Sequence, residues 1–298
     1  MTKRRFAIVA SIIAVTGLAV ASASAAAFTT RDMLGRDVTL AAPPKRIVSL
    51  VPSVTEILYA LHAESLLVGV TDFCDFPPQA RRQPKVGGMV APSLEAIVAL
   101  RPDLVIATTE GTREDTFTQL SRVGVPVYLV AAHHVADAMS LMRRLGELTG
   151  REAATGPVVA GLEQRIEAVK TAVVPFGRPR VLYVLWPDPL IVPGREALVT
   201  ELIQLAGGQS LTAGDADAWP RYSLEAAVAK SPEVILLANH GAGTGAVSIE
   251  KWQRLASLPA VKSGRLLSVS GDLMHRYGPR LVDGLEQLAR AIHPEAFR

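Results

Sequence analysis

Residues 93–107 read SLEAIVALRPDLVIA, and residues 223–237 read SLEAAVAKSPEVILL, an offset of 130 positions. Ser, Leu, Glu, Ala, Val, Ala and Pro stand at matching places. A spacing this long indicates two related lobes, since solenoid repeats recur every ~20–50 residues. Both copies decode alike. Ser93 or Ser223 caps a helix. Glu95 or Glu225 sits in its first turn, where the helix dipole favours a carboxylate. After about two turns Pro102 or Pro232 stops the helix, and an apolar run begins a buried strand.

Outward from this pair, short apolar runs alternate with helical periodicity, which predicts an α/β fold with parallel sheets. Strands are expected at 46–50, 66–70, 103–107 and 126–130, then at 180–185, 190–192, 233–238 and 265–269. Helices are expected at 53–62, 93–100, 113–123, 197–206, 223–230, 249–257 and 279–292. Residues 135–173 break the alternation. Their apolar positions keep helical spacing, with Gly150 and Pro157 as the plausible interruptions. The reading is a helix over 135–149, a break, and a longer helix ending near Val173. The domains are then an N-terminal lobe at 26–134, a linking helix at 135–175 and a C-terminal lobe at 176–298.

Residues 1–25 read as a secretory signal: Lys3, Arg4 and Arg5, an apolar stretch, then small residues with cleavage after Ala25. The chain has 31 Lys and Arg against 28 Asp and Glu, and three of the basic residues lie in that segment. The mature charge is therefore balanced, with no basic stripe for nucleic acid. Cys74 is the single cysteine, so the exported chain has no internal disulfide and relies on its core. It lies far from the cleavage region, which argues for a periplasmic protein without a lipid anchor.

Three pieces together identify a relationship: P-S-x-T-E at 52–56, D-x-P-P at 75–78, and the two L-E-x-x-V-A segments. With them, residues 45–292 resemble the helical-backbone (class III) periplasmic substrate-binding proteins. These serve ABC importers of cobalamin, ferric siderophores and haem, and the similarity is closest to the cobalamin-binding members. The resemblance implies two Rossmann-like lobes with parallel sheets, joined by a single long helix, with a ligand cleft between them. It implies cobalamin as a transported ligand rather than a cofactor, a permease in the inner membrane as partner, and a monomer. It also implies that Glu95 and Glu225 dock on permease arginines. Two separated Arg–carboxylate pairs fix orientation as well as affinity. The alternative reading is that both glutamates only stabilise helix N-termini.

Ligands of doubly wound sheets bind outside the carboxyl ends of the strands. That rule gathers Ser53, Phe73, Met89, Trp186, Trp219, Asp272, His275 and Tyr277 as candidate ligand contacts. Aromatic residues suit the face of a corrin or porphyrin. Trp219 matches an aromatic that contacts cobalamin in the family, and Asp272 an acidic position that can bond ligand amides. The pattern also departs from the family: Met89 and Thr108 stand where the cobalamin binders carry tryptophan, while Trp186 replaces glycine. Ser53, with Thr55, is read as an N-cap or a ligand hydrogen-bond donor. Phe76, beside Pro77 and Pro78, is open between ligand contact and loop anchor. His275 and Tyr277 suit an axial metal position by type, but no H-x-x-H or C-x-x-C spacing marks a protein metal site. Adjacent His133 and His134 are read as solvated.

Catalytic motifs are weak. GAGTGA at 241–246 fits a dinucleotide fingerprint formally but lacks its first-strand βαβ setting. No G-x-S-x-G elbow occurs. The expected function is corrinoid capture and delivery. The alternatives are a ferric-siderophore or haem binder of the same class, or an exported α/β enzyme using the same cleft.

Overall fold

A computed structural model of the chain describes residues 27–239 and 244–298. The signal segment and the first three residues of GAGTGA lie outside them. The described residues open with an antiparallel hairpin, β1 (Phe28–Arg31) and β2 (Asp37–Leu40). The first lobe follows: β3 (Ile47–Ser49), α1 (Pro52–Ala60), β4 (Leu67–Val70), α2 (Leu94–Ala99), β5 (Leu104–Thr108), α3 (Glu114–Arg122) and β6 (Val127–Val130). Then come α4 (Val135–Thr149) and α5 (Glu152–Val173). The second lobe holds β7 (Arg180–Val184), β8 (Trp186–Pro187), β9 (Leu190–Ile191), α6 (Leu198–Leu205), β10 (Gln209–Ser210), β11 (Arg221–Tyr222), α7 (Leu224–Ala229), β12 (Val234–Asn239), α8 (Thr244–Gln253), α9 (Pro259–Lys262), β13 (Leu266–Ser270), α10 (Gly271–His275) and α11 (Leu281–Ile292).

The two parallel sheets run β4-β3-β5-β6 and β10-β7-β12-β13. Within each lobe that is the order second, first, third, fourth strand, so the lobes share one topology. The duplication reaches single hydrogen bonds. Ser93 Oγ accepts from Ala96 N–H at 3.2 Å, and Ser223 Oγ from Ala226 N–H at 3.1 Å. Arg101 and Ser231, again 130 apart, both take left-handed backbone at φ 47° and 48° before their prolines. An arginine at the start of each lobe's first strand caps that kink. Arg46 Nε donates to Arg101 O at 3.0 Å, and Arg180 Nε to Ser231 O at 3.1 Å. In return, Asp103 accepts from Arg46 N–H and Glu233 from Arg180 N–H.

Strand alternation sorts the core. Leu104 and Ile106 of β5 face inward with Val181 and Tyr183 of β7, while Val105 and Ala107 pack outward under α2 and α3. Leu182 and Val184 do the same on the outer face of the second lobe. Parallel sheets covered on both faces read as near-continuous apolar runs, as these do. The inner faces meet on α1, α4, α5, α6 and α11, whose buried residues form one continuous cluster. On α5 the inward positions are Val159, Leu162, Ile166, Val169 and Val173, a single stripe.

The long connection is two helices. Gly150 ends α4 in the left-handed region at φ 65°, as a helix C-terminus requires, whereas Pro157 lies inside α5 without ending it. Some expectations needed correction. Residues 271–275, between the strand and the helix expected on either side, form α10. The helix expected at 249–257 runs 244–253. Ser53 lies inside α1, whose N-cap is Val51.

Candidate functional site

Strand β3 delivers Val51, Pro52 and Ser53 to the first turn of α1. Beside them, the loop after β4 brings Phe73, the end of β5 and the loop after it bring Thr108 and Glu110, and the loop after β6 brings Ala132. All four carboxyl ends of the first sheet therefore face one cavity of about 350 Å³, where doubly wound sheets place ligands. Met89 and Val90, on the loop before α2, and Leu141 of α4 complete that wall. The second lobe contributes His275, the last residue of α10, and Arg276 and Tyr277 directly after it. The walls are mostly apolar, with hydroxyls at Ser53, Thr108 and Tyr277.

His275 is set by its neighbours. Tyr183 on β7, buried to 1 % exposure, places its hydroxyl 3.1 Å from His275 Nε2. Trp219 meets the imidazole edge to face, with ring centroids 5.6 Å apart. Burial pushes the Tyr183 phenol well up, so it stays protonated. Burial also raises Tyr277, reinforced by the charges of Glu110, Asp137 and Glu201.

Directly beside the cavity the lobes are clasped by charge. Glu56 of α1 is 3 % exposed. Its carboxylate accepts from Arg280 Nε at 2.9 Å and Nη2 at 2.6 Å, and from Arg276 Nη1 at 3.0 Å. Arg276 Nη1 also donates to Asp75 at 2.8 Å, and its Nη2 to Asp272 at 3.3 Å. Two arginines of the second lobe are thus spent on carboxylates of the first lobe and on Asp272. Burial alone would raise Asp75, but the bond and charge of Arg276 outweigh it and hold its pKa below the ordinary 3.8. Burial likewise opposes the charge of Arg276, and Asp75 and Glu56 outweigh it. Gly278 permits the close approach: a Cβ there would meet Glu56 Oε2 at 3.2 Å and Ser53 O at 3.4 Å. Phe76 lies under the Arg280 guanidinium, 3.8 Å from ring centroid to Cζ, which supports the anchoring alternative for that ring.

Of the eight residues expected to meet ligand, the fold brings Ser53, Phe73, Met89, His275 and Tyr277 to the cavity. Trp219 reaches it through His275, and Asp272 through Arg276. Trp186 lies on β8, outside the lining. Glu95 and Glu225 are exposed in the first turns of their Ser-capped helices, away from the cavity. The backbone amide and the Ser223 hydroxyl lower the Glu225 pKa, keeping it charged. Sequence reasoning missed Arg276 and Arg280, although both stand in the same GDLMHRYGPR stretch as Asp272. It treated His133 and His134 as solvated. Both are half-exposed, but His133 lies 2.9 Å from Glu110 and His134 3.3 Å from Glu201. Cys74 is buried, its Sγ 3.2 Å from the Thr55 and Thr71 hydroxyls, and does not line the cavity. A second cavity of about 580 Å³ shares Glu56 and Arg280 with the clasp but lies off the strand ends.

Comparison with known proteins puts this geometry in context. Residues 47–273 match the family described as Periplasmic binding protein, one of binding proteins and not of enzymes. An uncharacterized ABC transporter substrate-binding lipoprotein of Bacillus subtilis (strain 168), YvrC, is 30% identical over 90% of this chain and 86% of its own length. The crystal structure of the periplasmic vitamin B12 binding protein BtuF of Vibrio cholerae superposes with a TM-score of 0.75. It is 26% identical and covers 86% of this chain and 99% of its own. A periplasmic heme binding protein from Pseudomonas aeruginosa gives a TM-score of 0.76 at 29% identity, over 84% of this chain and 93% of its own. No helix among the described residues is long and apolar enough to cross a membrane.

Proposed function

Because the chain belongs to the periplasmic binding protein family, as an ABC-transporter substrate-binding protein, we propose that it captures a corrinoid, cobalamin foremost, and delivers it to an inner-membrane permease. The observation that carries this reading is the apolar cavity at the strand carboxyl ends, walled by both lobes and flanked by aromatic rings. At about 350 Å³ it sits near the low end of the ~300–1,000 Å³ span of small-molecule sites. It would seat part of a macrocycle. Phe73, 59 % exposed, and Trp219, 38 % exposed, would cover the remainder.

Docking follows from the duplicated helices. Glu95 and Glu225 offer two charged, outward carboxylates on equivalent elements of two lobes held at fixed spacing, a geometry that suits a pair of permease arginines. The Glu95→Ala, Glu225→Ala double variant should bind ligand like wild type in calorimetry yet lose affinity for the reconstituted permease. Equal loss of both would sink the docking assignment. A periplasmic, monomeric protein without a lipid anchor belongs to the same reading; the single cysteine, Cys74, is buried and so is not itself open to acylation.

A heme or ferric-siderophore cargo is the second reading, favoured by the heme-binding neighbour of equal structural similarity. Calorimetry and absorbance titration with cyanocobalamin, heme and a ferric hydroxamate decide between them, because the three chromophores differ. A stoichiometric spectral shift with cyanocobalamin is the expected result. Binding of heme alone would overturn the corrinoid reading.

A further inference from the structure

The charged groups around the cavity are almost all committed to one another. Among the described residues that line it, Arg276 is the one arginine or lysine. Its guanidinium is 14 % exposed and already bonded to Glu56, Asp75 and Asp272. The adjoining Arg280 commits Nε and Nη2 to Glu56. Lys85 lies near the Phe73 loop, but its Nζ donates to the carbonyls of Thr71 and Cys74 at 3.2 and 3.1 Å. Glu110 adds a carboxylate to the lining itself, beside His133. The carbonyl partners of Lys85 are neutral, so Lys85 keeps its charge, and three cations are set against the four carboxylates of Glu56, Asp75, Asp272 and Glu110. Apolar walls focus that negative field into the cavity.

Resting on the cavity being the cargo site, we propose that this cleft selects chelates without net negative charge, and that Glu56, Asp75 and Asp272 set this specificity by occupying Arg276. A cargo carrying carboxylates or catecholates would have to draw Arg276 away from three protein carboxylates. It would leave them uncompensated and lie near Glu110 as well, and like charges brought together in this way oppose binding. An uncharged corrinoid or ferric hydroxamate meets no such conflict. Its amides and rings find hydroxyls, thioether and aromatic surface instead.

The test is a titration series on the full mature chain by calorimetry and absorbance. The ligands are cyanocobalamin, the same corrin bearing one to three carboxylates from amide hydrolysis, an uncharged ferric hydroxamate, heme with its two propionates, and an anionic ferric catecholate. Each added carboxylate should weaken corrin binding by roughly two- to fivefold, the size of a partly exposed charge contact. Asp75 is 42 % exposed in its side chain, so Asp75→Asn should fold. It should raise the affinity ratio of tricarboxylate to neutral corrin by about tenfold, and the gain should shrink at high salt. If the hydroxamate binds and cyanocobalamin does not, the corrinoid reading falls while the charge rule stands. For a hydroxamate cargo, the heme or catecholate comparison then carries the test. The rule is overturned if an anionic chelate binds as tightly as the best uncharged one. It is equally overturned if no uncharged chelate binds, or if Asp75→Asn leaves the ratio unmoved.

Discussion

Glu56 is the residue on which the two lobes most visibly depend. A carboxylate this buried is tolerated because Arg280 and Arg276 supply three charge-assisted hydrogen bonds to it. Removing one partner leaves charge uncompensated, so Arg280→Met should destabilise by about 3–5 kcal/mol in denaturant unfolding. A loss under about 1 kcal/mol would show that the clasp is ornamental. Asp75 has a pH signature. Its pKa is depressed on folding, so its contribution is present above the ordinary 3.8 and fades as pH falls through the lower folded-state value. Thermal melts should therefore lose stability in that acidic window, and Asp75→Asn should be less stable at neutral pH while showing a shallower acid decline. None of this was visible in the sequence. Glu56 stood out within P-S-x-T-E, but Arg276 lies 220 positions away, and no local pattern pairs charges at such distance. The placing of Ser53, Met89 and Tyr277 on the cavity wall was legible because residues that follow strand carboxyl ends gather there regardless of how the lobes meet.

Elements were legible where periodicity had room to declare itself. The eight predicted strands appear within a residue or two, and so do most helices. Two-residue strands such as β10 and β11 carry no period, and five-residue α10 barely completes a turn. Those pieces form because the surrounding fold holds them. The junction of α4 and α5 offers a test at this scale. Gly146 faces Thr155, and a Cβ on Gly146 would collide with the Thr155 hydroxyl. Gly146→Ala should cost about 1–3 kcal/mol through overpacking, and adding Thr155→Ala should recover most of it. If the single change is silent, the helices are less tightly apposed than described. The caps behave differently: Ser93→Ala and Ser223→Ala should each cost about 1 kcal/mol. Both were readable in advance, since a capping serine needs only its own helix.

At the scale of the whole molecule, two sheets of identical strand order share one continuous core through α1, α4, α5, α6 and α11. Arg165 of α5 reinforces it with ion pairs to Asp283 and Glu286 of α11 at 2.6 and 2.8 Å. Lobes fused in this way should close only slightly on cargo, since opening widely would expose that core. Small-angle scattering should find nearly the same radius of gyration with and without saturating cyanocobalamin, and a large drop on binding would contradict it. Doubling, fold class, the strand ends at which the cavity opens and the capped carboxylates were all determined by the sequence, because periodicity, caps and proline stops act over a few residues. Only the tertiary structure decided that Trp186 stays off the cavity, that Glu110 lines it while three further carboxylates hold Arg276 beside it, and that buried arginines tie the lobes. Those facts depend on which distant side chains share the same few ångströms, and Coulomb energy is set by separation in space and by burial, not by position along the chain.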